Sequence, residues 1–189
     1  MLSAGTELWD FSLVDPNNRR PVDYGKRIAM FEEIKRREAE TGLTGHAKDL
    51  LMSKEDGRIK MYLIYRSLNY RKSNRELFEK GEYMPVEAFG ERAGNVCAFA
   101  RRLFNEAIIV AVPRMVAGMG ANADFMPLGE KTWGGSCIAA PGAEVGVKYR
   151  NIFTGEEIAV NKHEEQNVIN LSDVFANFPA ALLEVVKVS

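Results

Sequence analysis

The sequence is short of the residue types that build disulfide frameworks, metal clusters and membrane spans. Two cysteines are present in 189 residues, Cys97 and Cys137, and they form no CxxC motif. Both lie in apolar runs, so we expect two buried free thiols, the usual state of an unpaired cysteine. Because free thiols persist in reducing compartments, this composition favours a cytoplasmic protein.

Motifs for metals and cofactors are also scarce. The two histidines, His46 and His163, are far from each other and from the thiols, so we expect no metal site and two exposed loop histidines. A run at 118–123 fits GxGxxA, but Pro127 follows where a dinucleotide-binding fold requires a helix. We therefore expect no cofactor.

Charge and hydropathy exclude further classes of partner. The formal net charge of −1 argues against a nucleic-acid partner. No stretch approaches 18 consecutive apolar residues, so we expect no membrane partner. A hydrophobic content of 46% with 27% charged residues is instead typical of a globular protein with its own core.

Helical periodicity marks the first part of the chain. A helix is predicted from Pro21 to about Glu40, because proline suits a first helical position and Gly42 and Gly45 suit its end. A short second helix is predicted over 47–52. The apolar stripe of the first helix comprises Tyr24, Ile28, Phe31 and Ile34.

The longest predicted helix runs over 58–80. Its residues 61–65 are apolar all round, and such a helix needs cover on more than one face. We expect that cover to come from a neighbouring structure outside this chain, or from a second copy in a homo-oligomer.

Strand periodicity begins at Glu82, where the apolar period changes from about 3.6 to 2. Residues 108–112 are apolar on both faces, as in a central strand, and Thr154-Gly155 fits a hairpin turn. The predicted strands are 95–104, 107–112, 136–140, 147–153, 156–160, 167–171 and 180–188. The predicted fold class is α+β, with a helical segment over 1–81 and an antiparallel β-sandwich domain over 82–189.

The residue types best suited to binding are concentrated in GTELWDFSLVDPNNRRPVDY, residues 5–24. An aromatic ring stacks on the apolar face of a sugar, while carboxylates, amides and guanidinium groups bind its hydroxyls. The alternative is an ordinary surface turn at 15–18 with the arginines in solvent. The polar and aromatic groups are Glu7, Trp9, Asp10, Asp15, Asn17, Asn18, Arg19 and Arg20.

This stretch resembles the segment after the eighth barrel strand of the maltooligosyl trehalose synthases, which belong to the α-amylase superfamily, glycoside hydrolase family thirteen. Residues 57–102, from GRIKMYLIYRSLNYRKSNRELF to GNVCAFARR, resemble their last barrel helix and the first strands of their C-terminal domain. The pieces WGGS, NIFTGEEI and DVFANFPAALLEV resemble later parts of that domain. The resemblance covers nearly the whole chain, with a loose patch around 115–130.

The resemblance implies the C-terminal part of an enzyme that converts the reducing-end α-1,4 bond of a maltooligosaccharide into an α,α-1,1 bond without a cofactor. The helical segment is then the end of a (β/α)8 barrel, and the missing remainder of that barrel is a partner. The maltooligosaccharide is the substrate of the whole enzyme. By position in the motif, the residues bordering the sugar subsites are Glu7, Trp9, Asp15, Asn18, Arg19 and Arg20.

Catalysis is not expected from this chain by itself. A reaction of this kind needs two carboxyl groups about 5–5.5 Å apart. In the resembled family they come from barrel strands before this segment, and none of those motifs is present. We assign no catalytic residue and expect the isolated chain to be inactive.

Two other interpretations stay open. One is a stand-alone carbohydrate-binding or scaffolding module that contacts sugar through Trp9 or Trp133, although packing at the edge of the sandwich is the stronger expectation for Trp133. The other is a different member of the superfamily, such as a glucanotransferase. The DPNNRRPVDY stretch favours the trehalose-forming enzymes over it.

Overall fold

The fold is described from a computed structural model, over residues 6–11, 21–104, 106–120 and 125–187. The chain divides between Tyr70 and Arg71 into two compact units. The first unit is helical and antiparallel sheets dominate the second, so the predicted α+β class is confirmed. The switch from helix to strand comes at Gly81, and a domain boundary at that residue stays a prediction.

The helices follow the predicted order but differ at their ends. Helix α1 begins after Asp23, whose Oδ1 accepts a hydrogen bond of 2.9 Å from the Lys26 backbone N–H, and Pro21 lies before it. It is interrupted at Gly42 (φ 70°, ψ 172°) as predicted, but it continues through Gly45. The predicted long helix breaks at Asn74. The helices are α1 (Tyr24–Met52), α2 (Arg58–Ser73), α3 (Arg75–Lys80), α4 (Gly129–Trp133) and α5 (Leu171–Val174).

Every predicted strand is present, together with three short strands that the pattern does not reveal. The additional strands are β1, β2 and β8, which have two to four residues and no fully buried position. Because these strands have no apolar face, their sequences lack the alternation of apolar and polar residues by which a strand is predicted. The strands are β1 (Glu82–Pro85), β2 (Ala88–Phe89), β3 (Val96–Leu103), β4 (Glu106–Pro113), β5 (Cys137–Ala139), β6 (Lys148–Asn151), β7 (Glu157–Ala159), β8 (Asn161–His163), β9 (Gln166–Asn170) and β10 (Ala181–Val185).

The strands form two antiparallel sheets that share one hydrophobic core. The six-stranded sheet has the order β1-β3-β4-β10-β6-β7, and the four-stranded sheet the order β2-β5-β9-β8. Ile109 and Leu183 from the first sheet lie in the same core as Ile138 and Ile169 from the second. This is the predicted antiparallel sandwich, with β4 in the interior of its larger sheet.

Trp133 belongs to this core and not to its edge. Its side chain is 1% exposed and its ring centroid lies 4.9 Å from that of Phe175. The indole Nε1–H donates a hydrogen bond of 2.8 Å to the Pro127 carbonyl oxygen. A ring buried in this way has no face for a sugar, so the alternative role for Trp133 in sugar binding is wrong.

The two thiols differ in their surroundings. Cys137 is buried as predicted, and burial raises the pKa of its thiol. Cys97 is exposed, because it alternates on β3 with the inward-facing Val96 and so lies on the outer face. The prediction of a buried thiol is therefore wrong for Cys97, while both cysteines are free.

The helical unit has a smaller core and leaves part of its apolar stripe uncovered. Ile34, Leu50 and Tyr62 are at most 2% exposed and form its centre. Tyr24 and Ile28, from the same predicted stripe as Ile34, are 57% and 62% exposed. The described residues of this unit thus bury only one end of the stripe on α1.

His46 is buried in this core, contrary to the predicted exposed position. Its side chain is 2% exposed and meets the Tyr62 ring edge to face at 5.1 Å. Neither ring nitrogen has a hydrogen-bond partner in the described part of the chain. Spacing explains the position, since His46 lies one helical turn before the buried Leu50. His163, in contrast, is exposed on β8 as predicted.

Burial lowers the pKa of His46 below its ordinary value, because the imidazolium form is poorly solvated there. Charged neighbours modify this effect in both directions. Asp49 and Glu33 favour the charged ring, and Arg58 and Arg37 disfavour it. In the unfolded chain the ring takes up a proton more readily, so stability falls as pH drops below the unfolded pKa of about 6.5.

Replacing His46 with phenylalanine tests this account. His46→Phe keeps an aromatic contact with Tyr62 and removes two unsatisfied nitrogens, so we expect the helical unit to gain about 1 kcal/mol. The loss of stability between about pH 7.5 and pH 5.5 should also shrink. Urea unfolding followed by circular dichroism measures both effects. His163→Phe is the matched surface control, and an unchanged pH dependence in His46→Phe would contradict the assignment.

Candidate functional site

The described segment 6–11 contains two of the six predicted sugar-contacting residues, Glu7 and Trp9. It leads into the helical unit, where both side chains have partners on α1, on α2 or in the turn that joins them. The other predicted residues lie outside the described residues, and they are Asp15, Asn18, Arg19 and Arg20.

Trp9 is fastened to the turn between α1 and α2. Its Nε1–H donates a hydrogen bond of 2.7 Å to the Lys54 carbonyl oxygen. The Lys60 ammonium lies 5.6 Å from the ring centroid and donates a 3.1 Å hydrogen bond to the Leu8 carbonyl oxygen. These contacts fix the orientation of the indole. Trp9 is nevertheless 45% exposed, so part of the ring is accessible to a ligand.

Gly57 makes this close approach possible. Its φ of 85° is in the left-handed region that favours glycine. A Cβ at this position would lie 3.0 Å from the Trp9 backbone nitrogen and 3.3 Å from Trp9 Cδ1. The turn therefore positions Trp9 both by its conformation and by the absence of a side chain.

Glu7 is paired with an arginine that no sequence spacing reveals. Its Oε2 lies 3.4 Å from Arg27 Nε, and the two side chains are 40% and 19% exposed. Arg27 Nη1–H also donates a 3.1 Å hydrogen bond to the Asp23 carbonyl oxygen. The ion pair joins segment 6–11 to the first turns of α1, and a pair at these exposures contributes little to stability.

An apolar groove of about 350 Å³ lies beside this ion pair, between α1 and α2. Phe31 and Tyr65 meet edge to face in it, with ring centroids 5.0 Å apart. Large apolar side chains open to solvent are unusual on a monomer when they form one patch. The lining comprises Glu7, Tyr24, Arg27, Ile28, Phe31, Met61, Ile64, Tyr65, Leu68 and Asn69.

The described residues offer contacts for a ligand or a partner and no inorganic centre. Among them, no group of three or more histidine, cysteine, aspartate or glutamate residues is arranged to hold a metal ion. In the same residues, no helix is long and apolar enough to cross a membrane. The arrangement that remains is a fixed, half-exposed indole, a carboxylate paired with Arg27, and an adjoining apolar groove.

Comparison with known proteins identifies relatives of this chain. Two proteins from strains of Mycobacterium tuberculosis, each named as a maltooligosyl trehalose synthase, are 34% identical over 132 residues, or 68% of this chain. The chain spans 14% of the length of these relatives. A mutant of the maltooligosyltrehalose synthase from Arthrobacter ramosus matches 96% of this chain and 19% of its own, with 27% identity and a TM-score of 0.61. No protein-family model matches the sequence.

The position of Trp9 can be tested at Gly57. Gly57→Ala places a Cβ against Trp9 and forces alanine into a left-handed conformation, so we expect a loss of about 1–2 kcal/mol in stability. The indole should move, and its fluorescence maximum with it. Gly25→Ala is the control, because Gly25 is exposed on α1 and a new Cβ there would lie 3.5 Å from Asp23 Oδ1, an ordinary contact distance. Equal stability and equal emission in the two variants would contradict the role given to Gly57.

Proposed function

Because this chain is homologous to the C-terminal region of the maltooligosyl trehalose synthases, we propose that it acts as the C-terminal part of such an enzyme in trehalose synthesis from glucan. The proposed reaction breaks the reducing-end α-1,4 bond of a maltooligosaccharide and forms an α,α-1,1 bond between the same two glucose units. It is an isomerisation within one molecule and consumes no cofactor. The free thiols are compatible with the cytoplasm as its compartment.

The observation that carries this proposal is the groove that the described residues of the helical unit leave open, in a chain similar to these enzymes. Tyr24, Ile28 and Leu68 expose 57%, 62% and 48% of their side chains. Full burial of one such side chain is worth about 1.5–3 kcal/mol, so a partner that covers the groove gains substantial free energy. We propose that the partner is the barrel that carries the catalytic carboxylates.

Segment 6–11 has a supporting role in this proposal. Trp9 supplies an apolar face for a glucose ring, and Glu7 supplies carboxylate oxygens for hydroxyl groups. Asp15, Asn18, Arg19 and Arg20 are proposed to border the same subsites. Such contacts position the substrate and exclude water, which would otherwise convert the isomerisation into a hydrolysis.

We propose no catalytic residue in this chain and expect no activity from it alone. A carbohydrate-binding module without catalysis is the second candidate, and the half-exposed indole of Trp9 favours it. The two candidates differ in what happens when a catalytic barrel is supplied.

Complementation tests the proposal. The chain is mixed with a maltooligosyl trehalose synthase from Mycobacterium tuberculosis truncated before its homologous region, and maltopentaose is added. We expect loss of reducing ends only when both parts are present, because the α,α-1,1 product has none. Activity of the chain alone would contradict the proposal, and binding of the sugar without complementation would favour the second candidate.

Two exposed positions test whether the groove is the contact. Ile28→Glu puts a charge into the groove, and we expect at least about tenfold weaker complementation, the factor that corresponds to 1.4 kcal/mol. Met52→Glu is the control, because Met52 is 87% exposed in the same unit and does not line the groove. Thermal unfolding of both variants should match the parent. If the groove instead joins two copies of the chain, Ile28→Glu will convert a dimer into a monomer in sedimentation.

A further inference from the structure

A second cavity, of about 310 Å³, lies wholly within the β-sheet unit. One wall is a row of side chains that runs across neighbouring strands of the six-stranded sheet. Arg102 on β3 faces Ala107 on β4, and Val185 on β10 faces Tyr149 on β6. Directly opposed residues share one face of a sheet, so these side chains line the cavity from one side.

The opposite wall is the loop over residues 141–147, which is held by hydrogen bonds. The Gly146 N–H donates to the Val160 carbonyl oxygen over 2.9 Å, and Asn167 Nδ2 donates to the Ala143 carbonyl oxygen over 2.9 Å. The Val147 N–H closes the loop on the Glu144 carbonyl oxygen at 3.2 Å. Both walls are therefore preformed, as is usual in small-molecule sites.

Phe104 lines the cavity, and a bulky aromatic is not a residue type that its position in the hairpin turn favours. It follows β3 directly, and the pair Leu103–Glu106 closes the hairpin around it. Its side chain is 85% exposed, so it adds little to the core, and its φ of 52° is unfavourable for a bulky residue. Strained residues of this kind are concentrated at ligand sites.

The polar lining combines one cation and one anion. Arg102 makes no ion pair or hydrogen bond within the described residues, and its Nη1 lies 3.1 Å from where a Cβ on Gly142 would be. Glu144 is the acidic residue of the same lining. Their formal charges cancel, which disfavours an anion or a cation and favours a neutral ligand with hydroxyl groups.

We propose that this cavity binds a neutral oligosaccharide, with Phe104 stacking on the apolar face of one sugar and Arg102 and Glu144 hydrogen-bonding to its hydroxyls. The proposal rests on the proposed function for its choice of sugar, an α-1,4-linked glucan. An aromatic ring can stack on the apolar face of a glucose unit, while a guanidinium donor and a carboxylate acceptor can hydrogen-bond to its hydroxyls. Tyr149, which is 1% exposed, forms the bottom of the cavity.

Calorimetric titration of the purified full chain with maltoheptaose tests the site. We expect binding in the millimolar range, and Phe104→Asn should weaken it about three- to tenfold through loss of stacking. Asparagine tolerates a positive φ, so the melting temperature of this variant should be equal or higher. Arg102→Met should weaken binding to a similar degree and keeps much of the apolar side chain.

Tyr83→Ala is the matched control. Tyr83 is an exposed aromatic of the same sheet, on β1, and does not line the cavity. Unchanged binding in this control with weaker binding in the Phe104 and Arg102 variants supports the site. Absence of maltoheptaose binding, equal affinity in all variants, or displacement of the sugar by sulfate would each overturn it.

This readout is independent of the complementation assay. Binding that depends on Phe104 in a chain that fails to complement a catalytic barrel would remove the proposed function and keep the site. Complementation by a chain that binds no maltoheptaose would support the proposed function and rule out the site.

Discussion

Burial of β4 between β3 and β10 is the constraint on which the β-sheet unit depends. Ile108 and Ile109 on this strand are at most 1% exposed, and β4 pairs with β3 along the whole length of both strands. A slip by one residue would exchange the two faces of β4 and move Ile109 and Ala111 out of the core that the two sheets share, so the register is fixed. The hairpin turn cannot relax without breaking that register, and this holds Phe104 at a positive φ. The packing of the core thus determines the backbone conformation of Phe104, a residue whose side chain lies outside the core.

The helical unit is constrained in a different way, because its apolar surface exceeds what its own described residues bury. Ile34 and Tyr62 are fully covered, whereas Ile28 on the same helix as Ile34 is mostly exposed. His46 occupies part of the core, and none of the described residues makes a hydrogen bond to either of its ring nitrogens. Both features lower the stability that the unit draws from its own contacts. A covering partner therefore affects this unit far more than it affects a sandwich that closes its own core.

Sequence patterns predicted the elements that bury an apolar face and missed those that do not. The apolar run at 108–112 revealed β4, but β8 is exposed at all its positions and left no pattern. The glycines at 42 and 45 both predicted an interruption of α1. The interruption occurs at Gly42, where φ is positive, and not at Gly45, where φ is not positive. His46 was placed wrongly because residue type was weighted above its helical spacing to buried neighbours. The packing role expected for Trp133 is confirmed, but its ring lies in the core and not at the edge, a position that the glycine-rich surrounding did not indicate.

The two candidate sugar contacts differ in how far a sequence could show them. Trp9 lies in a continuous stretch, while the cavity at Phe104 draws on β3, β6, β10 and a loop, which only folding brings together. With no catalytic carboxylate assigned to either region, we expect the two proposed sites to bind substrate about equally well before and during the reaction. Such uniform binding lowers KM without raising kcat. A glucan is a repeating polymer, so a second weak site also retains the chain between encounters at the first. The proposed low-affinity cavity on the sandwich would thus keep a long glucan near the enzyme while taking no part in bond rearrangement.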